Sequence, residues 1–410
     1  MKNLRNLYLR FVEQSRSSAV SPPAHRTDAG DISQTIKGAL ASAGLDTQSG
    51  LARSVTDTIE RALASAGLRA PASAIPARGA TIDGRVRDVT PADCVRDDVL
   101  IGPAVSDEPV RPGEFVTRSF ANDAGALTYK LYVPASYSAA SDARVPLVVM
   151  LHGCTQDPDD FAAGTRMNAL ADEQGFIVAY PAQEARANGS KCWNWFRAED
   201  QARDRGEPAL IAGITREIAA RYRVDGRRIF VAGLSAGGAM AVVLAATYPE
   251  LYAAAGVHSG LPYAVARDVA SAFAAMNAGR GGPSRMSPGP GAEARLGSAI
   301  PTIIFHGDND TTVSASNADA IFQQARASRP GGTALQSTVF RGTSANGRDY
   351  TRTVLVDGAQ QPVIERWVLH GAGHGWSGGS HHGSFTDPSG PDASAEMIRF
   401  FFSQPRGGSA

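Results

Sequence analysis

Short, unbroken apolar runs separated by stretches with helical spacing constrain this chain more than any other feature. "VPLVVMLHG" (Val145 to Gly153) is continuously apolar, as a strand covered on both faces has to be, whereas a strand with one face in water alternates. "FIVAYP" (Phe176 to Pro181), "RRIFVAG" (Arg227 to Gly233), "YAAAGVHSG" (Tyr252 to Gly260), "IPTIIFHG" (Ile300 to Gly307) and "VIERWVLHG" (Val363 to Gly371) read as further strands. Helical spacing fills the gaps: "DDFAAGTRMNALADEQG" (Asp159 to Gly175), with acidic residues at its start and glycine at its end, then Glu207 to Tyr222, "SAGGAMAVVLAATYP" and finally "DASAEMIRFFFSQ" (Asp392 to Gln404). Strand alternating with helix implies right-handed crossovers and an α/β fold with a mostly parallel sheet flanked by helices. Ahead of these, "FVTRSF" (Phe115 to Phe120) and "LTYKLYVP" (Leu127 to Pro134) alternate apolar and polar residues around a glycine-containing break, the pattern of an antiparallel hairpin.

The strand pattern begins near Gly113, which divides the chain into an extension, 1–112, and an α/β domain, 113–404. The extension is rich in Ala, Ser, Gly, Pro and Arg, and within it "TIKGALASAGL" (Thr35 to Leu45) recurs as "TIERALASAGL" (Thr58 to Leu68) with nine identities in eleven positions. Each copy places Ile and Leu four apart and ends at a glycine fit for a helix C-cap. Two short helices in a partly disordered extension are expected, serving as a linker, a self-association arm or a polymer-surface contact. The loop Asn277 to Ala294, dense in Gly, Pro and Arg, reads as surface.

Lys plus Arg and Asp plus Glu are 40 each, so the net charge is zero and no global field favours nucleic acid. The three cysteines, Cys94, Cys154 and Cys192, form no CxxC or Cys/His group with zinc spacing. No metal and no organic cofactor is expected. No stretch reaches the roughly 18 to 20 apolar residues of a membrane-spanning helix, and Arg5, Arg10, Glu13 and Gln14 interrupt the apolar segment that a secretory signal would need.

Between the strand "RRIFVAG" and its small-residue helix, Gly233-Leu234-Ser235-Ala236-Gly237 forms G-x-S-x-G. At a sharp strand-to-helix turn this pattern exposes a serine hydroxyl above the sheet edge, and Ser235 is the expected nucleophile. A serine needs a base, and the order Ser, Asp or Glu, His directs attention to histidines after residue 235. His374, in the glycine-rich "HGAGHGWSGG" after the last strand, is the expected base; His370 reads as structural, and His381 and His382 as surface residues. The acid that orients the base would follow a strand between the two, where "HGDNDTTV" offers both Asp308 and Asp310. The backbone amides of Ala236 and of Cys154, in the loop "MLHGCTQ", are the expected oxyanion donors, with His152 as an orienting loop residue. Cys154 is a candidate disulfide partner for Cys192 in "SKCWNWF", the alternative being two buried thiols. Trp193, Trp195 and Trp376 are candidates for substrate contact.

The segments "VVMLHGCTQDPDDFAAGTRMNALADEQGFIVAYPAQ", "KCWNWF", "VAGLSAGGAMAVVLAATYPELYAAAGVHSG", "HGDNDTTV" and "GAGHGWSGG" together resemble the short-chain polyhydroxyalkanoate, or poly(3-hydroxybutyrate), depolymerase family of esterases. The resemblance covers about Phe115 to Phe402 and implies an α/β-hydrolase fold, a serine acyl-enzyme mechanism and kinship with feruloyl and acetylxylan esterases. The family pattern H-G-x-x-D-x-x-V falls on His306, Gly307, Asp310 and Val313, which selects Asp310 as the acid and supports Ser235, His374 and the Cys154 amide. It implies a polyester or small ester as substrate. A carbohydrate esterase is the nearest rival, and a binding protein that kept the fold without the chemistry is the rival of another class. Family kinship and the disulfide point to export, the interrupted N-terminal segment to the cytoplasm.

Overall fold

A computed structural model describes residues 113–278, 300–329 and 335–404 of the chain; the 1–112 extension with its repeat, and most of the Asn277 to Ala294 loop, lie outside them. Ten strands form one sheet in the order β1-β2-β4-β3-β5-β6-β7-β10-β9-β8. They are β1 (Phe115–Asn122), β2 (Gly125–Tyr132), β3 (Val145–Leu151), β4 (Ile177–Ala182), β5 (Val224–Leu234), β6 (Ala254–His258), β7 (Thr302–Gly307), β8 (Gln336–Thr343), β9 (Asp349–Val356) and β10 (Pro362–Leu369). From β4 through β10 every neighbouring pair is parallel. The hairpin β1-β2 and the hairpin β8-β9 complete the two edges antiparallel. A two-residue ladder pairs β11 (Trp376–Ser377) with β12 (Thr386–Asp387).

The strands are apolar on both faces because helices cover both. Along β3, Leu147, Val149 and Leu151 belong to one core and Val148 and Met150 to the other, the two-residue period of a pleated strand. The first core is closed by α3 (Gly206–Arg221), α4 (Ala236–Thr247) and α6 (Ser316–Ala327). The second is closed by α1 (Pro158–Thr165), α2 (Met167–Gln174) and α7 (Ala393–Phe402). A further helix, α5 (Val269–Met276), begins at a capping box in which Asp268 and Ser271 satisfy each other's amides. Among the described residues, no helix is long and apolar enough to cross a membrane.

The single helix expected over Asp159 to Gly175 is two. Arg166 adopts a left-handed conformation (φ 54°), its amide closing α1 on the Ala162 carbonyl while its guanidinium reaches Asp392 at 2.9 Å. The apolar period survives the break, so spacing alone does not reveal it. Helices α5 and α6 and the β8-β9 hairpin were not expected at all. Nearly every residue of β8 is exposed, so it lacks the apolar alternation by which a strand is recognised.

Strand β10, which leads to the His374 loop, is secured by a buried carboxylate. Glu365 is fully buried and accepts from Arg352 Nε and Nη2, both at 3.0 Å, and from Arg399 Nη2 at 2.6 Å. The contacts tie β10 to β9 and α7. Removing the anion leaves two guanidiniums against an apolar layer, so Glu365→Ala is expected to cost about 3 kcal/mol, the low end for a broken buried pair because both arginines are partly solvated. Urea unfolding checks it; a loss near zero would show that the triad adds nothing.

Candidate active site

Ser235 sits where β5 passes into α4, with φ 57° and ψ −117°. That is a strained conformation for a residue with a side chain, and it is imposed by the turn. A Cβ at Gly237 would lie 2.0 Å from the Leu151 carbonyl oxygen, and one at Gly233 would lie 2.4 Å from the Gly237 backbone. Both glycines of the motif are therefore steric requirements. The Ser235 amide donates to the His258 carbonyl at 2.8 Å, holding the turn against β6.

His374 and Asp310 arrive on the loops after β10 and β7. Asp310 Oδ2 accepts from His374 Nδ1 at 2.7 Å, with the carboxylate fully buried and the ring one-tenth exposed. The other oxygen, Oδ1, accepts the Thr312 and Val313 amides, each at 2.8 Å. Burial pushes the Asp310 carboxyl up, but hydrogen bonds from His306 and His374 outweigh it and hold the group well below the ordinary carboxylate range. The neighbouring Asp308 pairs elsewhere. It accepts from His370 Nδ1 at 2.9 Å and from the Gly371 amide at 2.6 Å, and His370 Nε2 bonds Thr351 Oγ1 at 2.9 Å. This second Asp-His pair is solvent-exposed and lies outside the cavity described next.

Ser235 and His374 line a cavity of about 290 Å³, together with Cys154, Ala236, Trp195 and Phe385 among others. No hydrogen bond joins the Ser235 hydroxyl to His374 in this conformation; such contacts commonly tighten only when substrate binds. At the cavity floor, the Gly153 amide is taken by Gln156 Oε1, the Thr155 amide by Ser190 and the Ser235 amide by His258. Among the described residues the Cys154 and Ala236 amides have no such partner. The plane of the Cys154 amide is fixed from its far end: the Gly153 carbonyl accepts from His152 Nδ1 at 2.8 Å and from the Gln156 amide at 3.3 Å, and a peptide unit turns as one body. His152 Nε2 accepts the Gln183 amide at 3.0 Å, which assigns the proton to Nδ1. Burial pushes this histidine down to about 4, so it stays a neutral donor.

Cys154 and Cys192 form a disulfide that joins this loop to the aromatic segment. Of the aromatic candidates, Trp195 lines the cavity, as does Phe196 beside it. Trp193 and Trp376 do not, which corrects the expectation of substrate contact for both. Trp193 is fully buried, its Nε1 donating to the His152 carbonyl at 3.1 Å. Trp376 packs edge-on to Phe161 and stacks on His258, its Nε1 donating to Ser394 Oγ. Each indole N–H has a buried partner, which is what an indole in a core requires. His381 and His382 are exposed and also lie outside the cavity lining.

Several site residues escaped the sequence. Glu207, expected only as a helix residue, is a buried anchor beneath the aromatic segment. Its carboxylate accepts the Asn194 amide at 2.7 Å, Asn194 Nδ2 at 2.6 Å and Gln183 Nε2. Burial and the Asp200 carboxylate push it up to about 8, against three N–H donors that favour the anion. The α5 residues Val269, Ala272, Phe273 and Met276 form a cavity wall. Their spacing of three, four and seven is a helix-face signal that could have been read.

Buried His258, its Nε2 accepting the Ser377 amide at 3.1 Å, is pushed down to about 3 by burial and by the nearby His306 and His374. In the unfolded chain it titrates near 6.5, so between those values the unfolded state takes up a proton that the folded state refuses. Its effect on stability is therefore absent above pH 6.5 and grows as a loss when the pH falls toward 3. His258→Gln is expected to flatten the pH dependence of unfolding free energy in that window by about 1.4 kcal/mol per pH unit. Denaturant titrations across the window measure it, and an unchanged slope would place the proton uptake elsewhere.

The chain is 33% identical over 269 residues to poly(3-hydroxyalkanoate) depolymerase C of Paucimonas lemoignei, covering 63% of this chain and 60% of that protein. It is 36% identical over 127 residues to feruloyl esterase B of Neurospora crassa, covering 31% and 42% respectively. The chain thus spans under two thirds of the length of either relative. An acetyl xylan esterase from Aspergillus awamori superposes with a TM-score of 0.54 at 21% identity, over 70% of this chain and 99% of that one; at that identity the likeness speaks for the α/β-hydrolase fold alone. Residues 127–332, half of the chain and including the Ser235 turn, the disulfide and Asp310, match the family model described as Esterase PHB depolymerase, and the chain belongs to that family.

Proposed function

We propose that this chain is a serine esterase that hydrolyses short-chain polyhydroxyalkanoates such as poly(3-hydroxybutyrate), or their oligomers, through an acyl-enzyme. The observation that carries the reading is the Asp310-His374 hydrogen bond at the rim of the cavity that Ser235 also lines. Asp310, held ionised, keeps the His374 proton on Nδ1 and leaves Nε2 to take the Ser235 proton as Oγ attacks the ester carbonyl. The unpaired Cys154 and Ala236 amides receive the developing oxyanion. His374 then protonates the departing alcohol, and a water activated by the same imidazole releases the acid. Polyester as substrate class is supported by the family and by the longest of the matches above. The feruloyl and acetylxylan esterases among the relatives favour a second reading, an ester on plant polysaccharide.

Export is supported by the disulfide, which persists in oxidising compartments. For residues 1–112 we propose a polymer-surface or self-association role. Deleting 1–110 is expected to spare soluble-ester turnover and weaken adsorption to polymer; unchanged adsorption removes the surface role.

Ser235→Ala is expected to lower p-nitrophenyl butyrate turnover by at least ~10³-fold, and Asp310→Asn by ~10²- to 10⁴-fold. Asp308→Asn should leave kcat near wild type. Turnover that survives Ser235→Ala would sink the mechanism. Incubation with amorphous poly(3-hydroxybutyrate) should release 3-hydroxybutyrate or its oligomers, whereas release of ferulate or acetate from polysaccharide, without attack on the polyester, would favour the second reading.

A further inference from the structure

The loop that bears the Cys154 amide is gripped on two sides. On one, the disulfide and the Thr155-Ser190 hydrogen bond of 2.6 Å tie it to the aromatic segment. On the other stands Gln156, a buried residue of the cavity lining whose side chain is hydrogen-bonded at both ends of its amide. Its Oε1 accepts the Gly153 amide at 2.9 Å. Its Nε2 donates to Asp160 Oδ2 at 2.9 Å and to the Ser384 carbonyl at 3.0 Å. Asp160 in turn accepts the Ser384 amide at 2.8 Å and the Ser384 hydroxyl.

The chemistry of the partners fixes the orientation of the Gln156 amide. The Ser384 carbonyl can only accept and the Gly153 amide can only donate, so the NH₂ must face Ser384 and Asp160 and the oxygen must face Gly153. The far end of the network is no ordinary surface loop. Ser384 precedes Phe385, a cavity-lining residue held at φ 52°, a costly conformation for an aromatic residue. Gly383, just before, packs so tightly that a Cβ there would lie 2.4 Å from the Asp160 carbonyl. The Phe385 carbonyl accepts the Trp376 amide at 2.7 Å, two residues past His374. One glutamine therefore connects the loop of the anion site to the loop that follows the base, across a sequence separation of 228.

Resting on the esterase reading above, we propose that Gln156 is a positioning residue for the reaction: with Asp160 and Ser384 it aims the Cys154 amide and locks the oxyanion loop to the loop carrying His374 and Phe385. Because the oxyanion is absent from the bound ester and develops only as Ser235 adds to it, loosening this brace lowers kcat and leaves KM little changed. Titratable groups border the network. Asp157 accepts the Asp160 amide and lies 3.7 Å from Lys191; Asp159 pairs with Lys130; His152 sits on the same loop, and His381 and His382 just before Ser384.

Two variants test the proposal with soluble ester. Gln156→Ala is expected to lower kcat ~10- to 100-fold with KM within about threefold. Gln156→Glu keeps the acceptor toward Gly153 but sets a carboxyl against Asp160. At acidic pH one proton can bridge the pair and mimic the native N–H···O contact; at alkaline pH the two anions repel. The kcat of Gln156→Glu relative to wild type is expected to rise at least ~10-fold between pH 8 and pH 5, with thermal melts at both pH values showing a folded protein. A flat ratio overturns the proposal, and so does a Gln156→Ala variant with wild-type kcat or with its loss confined to KM. Should Gln156→Ala fail to fold, the Gln156→Glu ratio decides alone. Ser235→Ala, assayed in parallel, separates the two levels: if it remains active the esterase reading has failed, whereas if it is inert and Gln156 variants are unaffected only the positioning role has.

Discussion

The carbonyl oxygen of Leu151 leaves no space for a side chain at Gly237 and little at Gly233, and that backbone contact fixes the rest of the site. It brings the end of β3 against the turn from β5 into α4. A Cβ placed on Gly153 would fall 3.6 Å from the Cβ of Ser235. The serine and the Gly153-Cys154 loop are thus neighbours because the strands bearing them are adjacent and parallel in the sheet, which is where open α/β sheets gather ligand-binding loops. Side chains tune the arrangement; main-chain packing creates it.

Burial then sorts the ionisable groups around that point in opposite directions. His152 and His258 lose their charge because nothing anionic approaches closely enough to offset desolvation, so each serves as a fixed-tautomer hydrogen-bonding group. Asp310, equally buried, keeps its charge because two backbone amides and two imidazoles converge on it. Of these histidines, His374 combines a carboxylate partner with a place on the cavity wall, the setting in which an imidazole can gain and lose a proton during a reaction.

The legible and illegible parts of the sequence divide along the same physical lines. Strands β3 to β7 and β10 are covered on both faces, so their apolar runs announced them; β8, lying at the open edge, carries no such mark. The motif at Ser235 was readable because steric demand dictates its glycines. Asp308 and Asp310 were equivalent by spacing, and each has a histidine partner in the fold; only the family pattern separated them beforehand. Trp193 and Trp376 misled because an aromatic residue beside a site motif looks alike in sequence whether its ring faces the cavity or the core. Gln156 and Ser384 were beyond local reading altogether, since their meaning lies in a contact between distant loops.

Those distant contacts bear on how the anion site can work. A hydrogen-bond donor lowers a barrier most when it needs no reorganisation as charge develops, so the mechanism proposed above requires the Cys154 amide to be held before substrate arrives. The disulfide, closing a separation of 38 residues, reduces the freedom of the unfolded chain by about 4 kcal/mol in the chain-entropy picture. It also fastens the loop at the very residue whose amide is the proposed donor. His152 Nδ1 holds the carbonyl of the same peptide unit, and Gln156 Oε1 holds the amide of the unit before it. Rigidity is concentrated on the proposed donors, while the Ser235-His374 contact is left open in this conformation. That division is coherent: a proton transfer can wait for the ester to bring its partners together, but an oxyanion donor that had to be arranged during the reaction would return its own cost to the barrier.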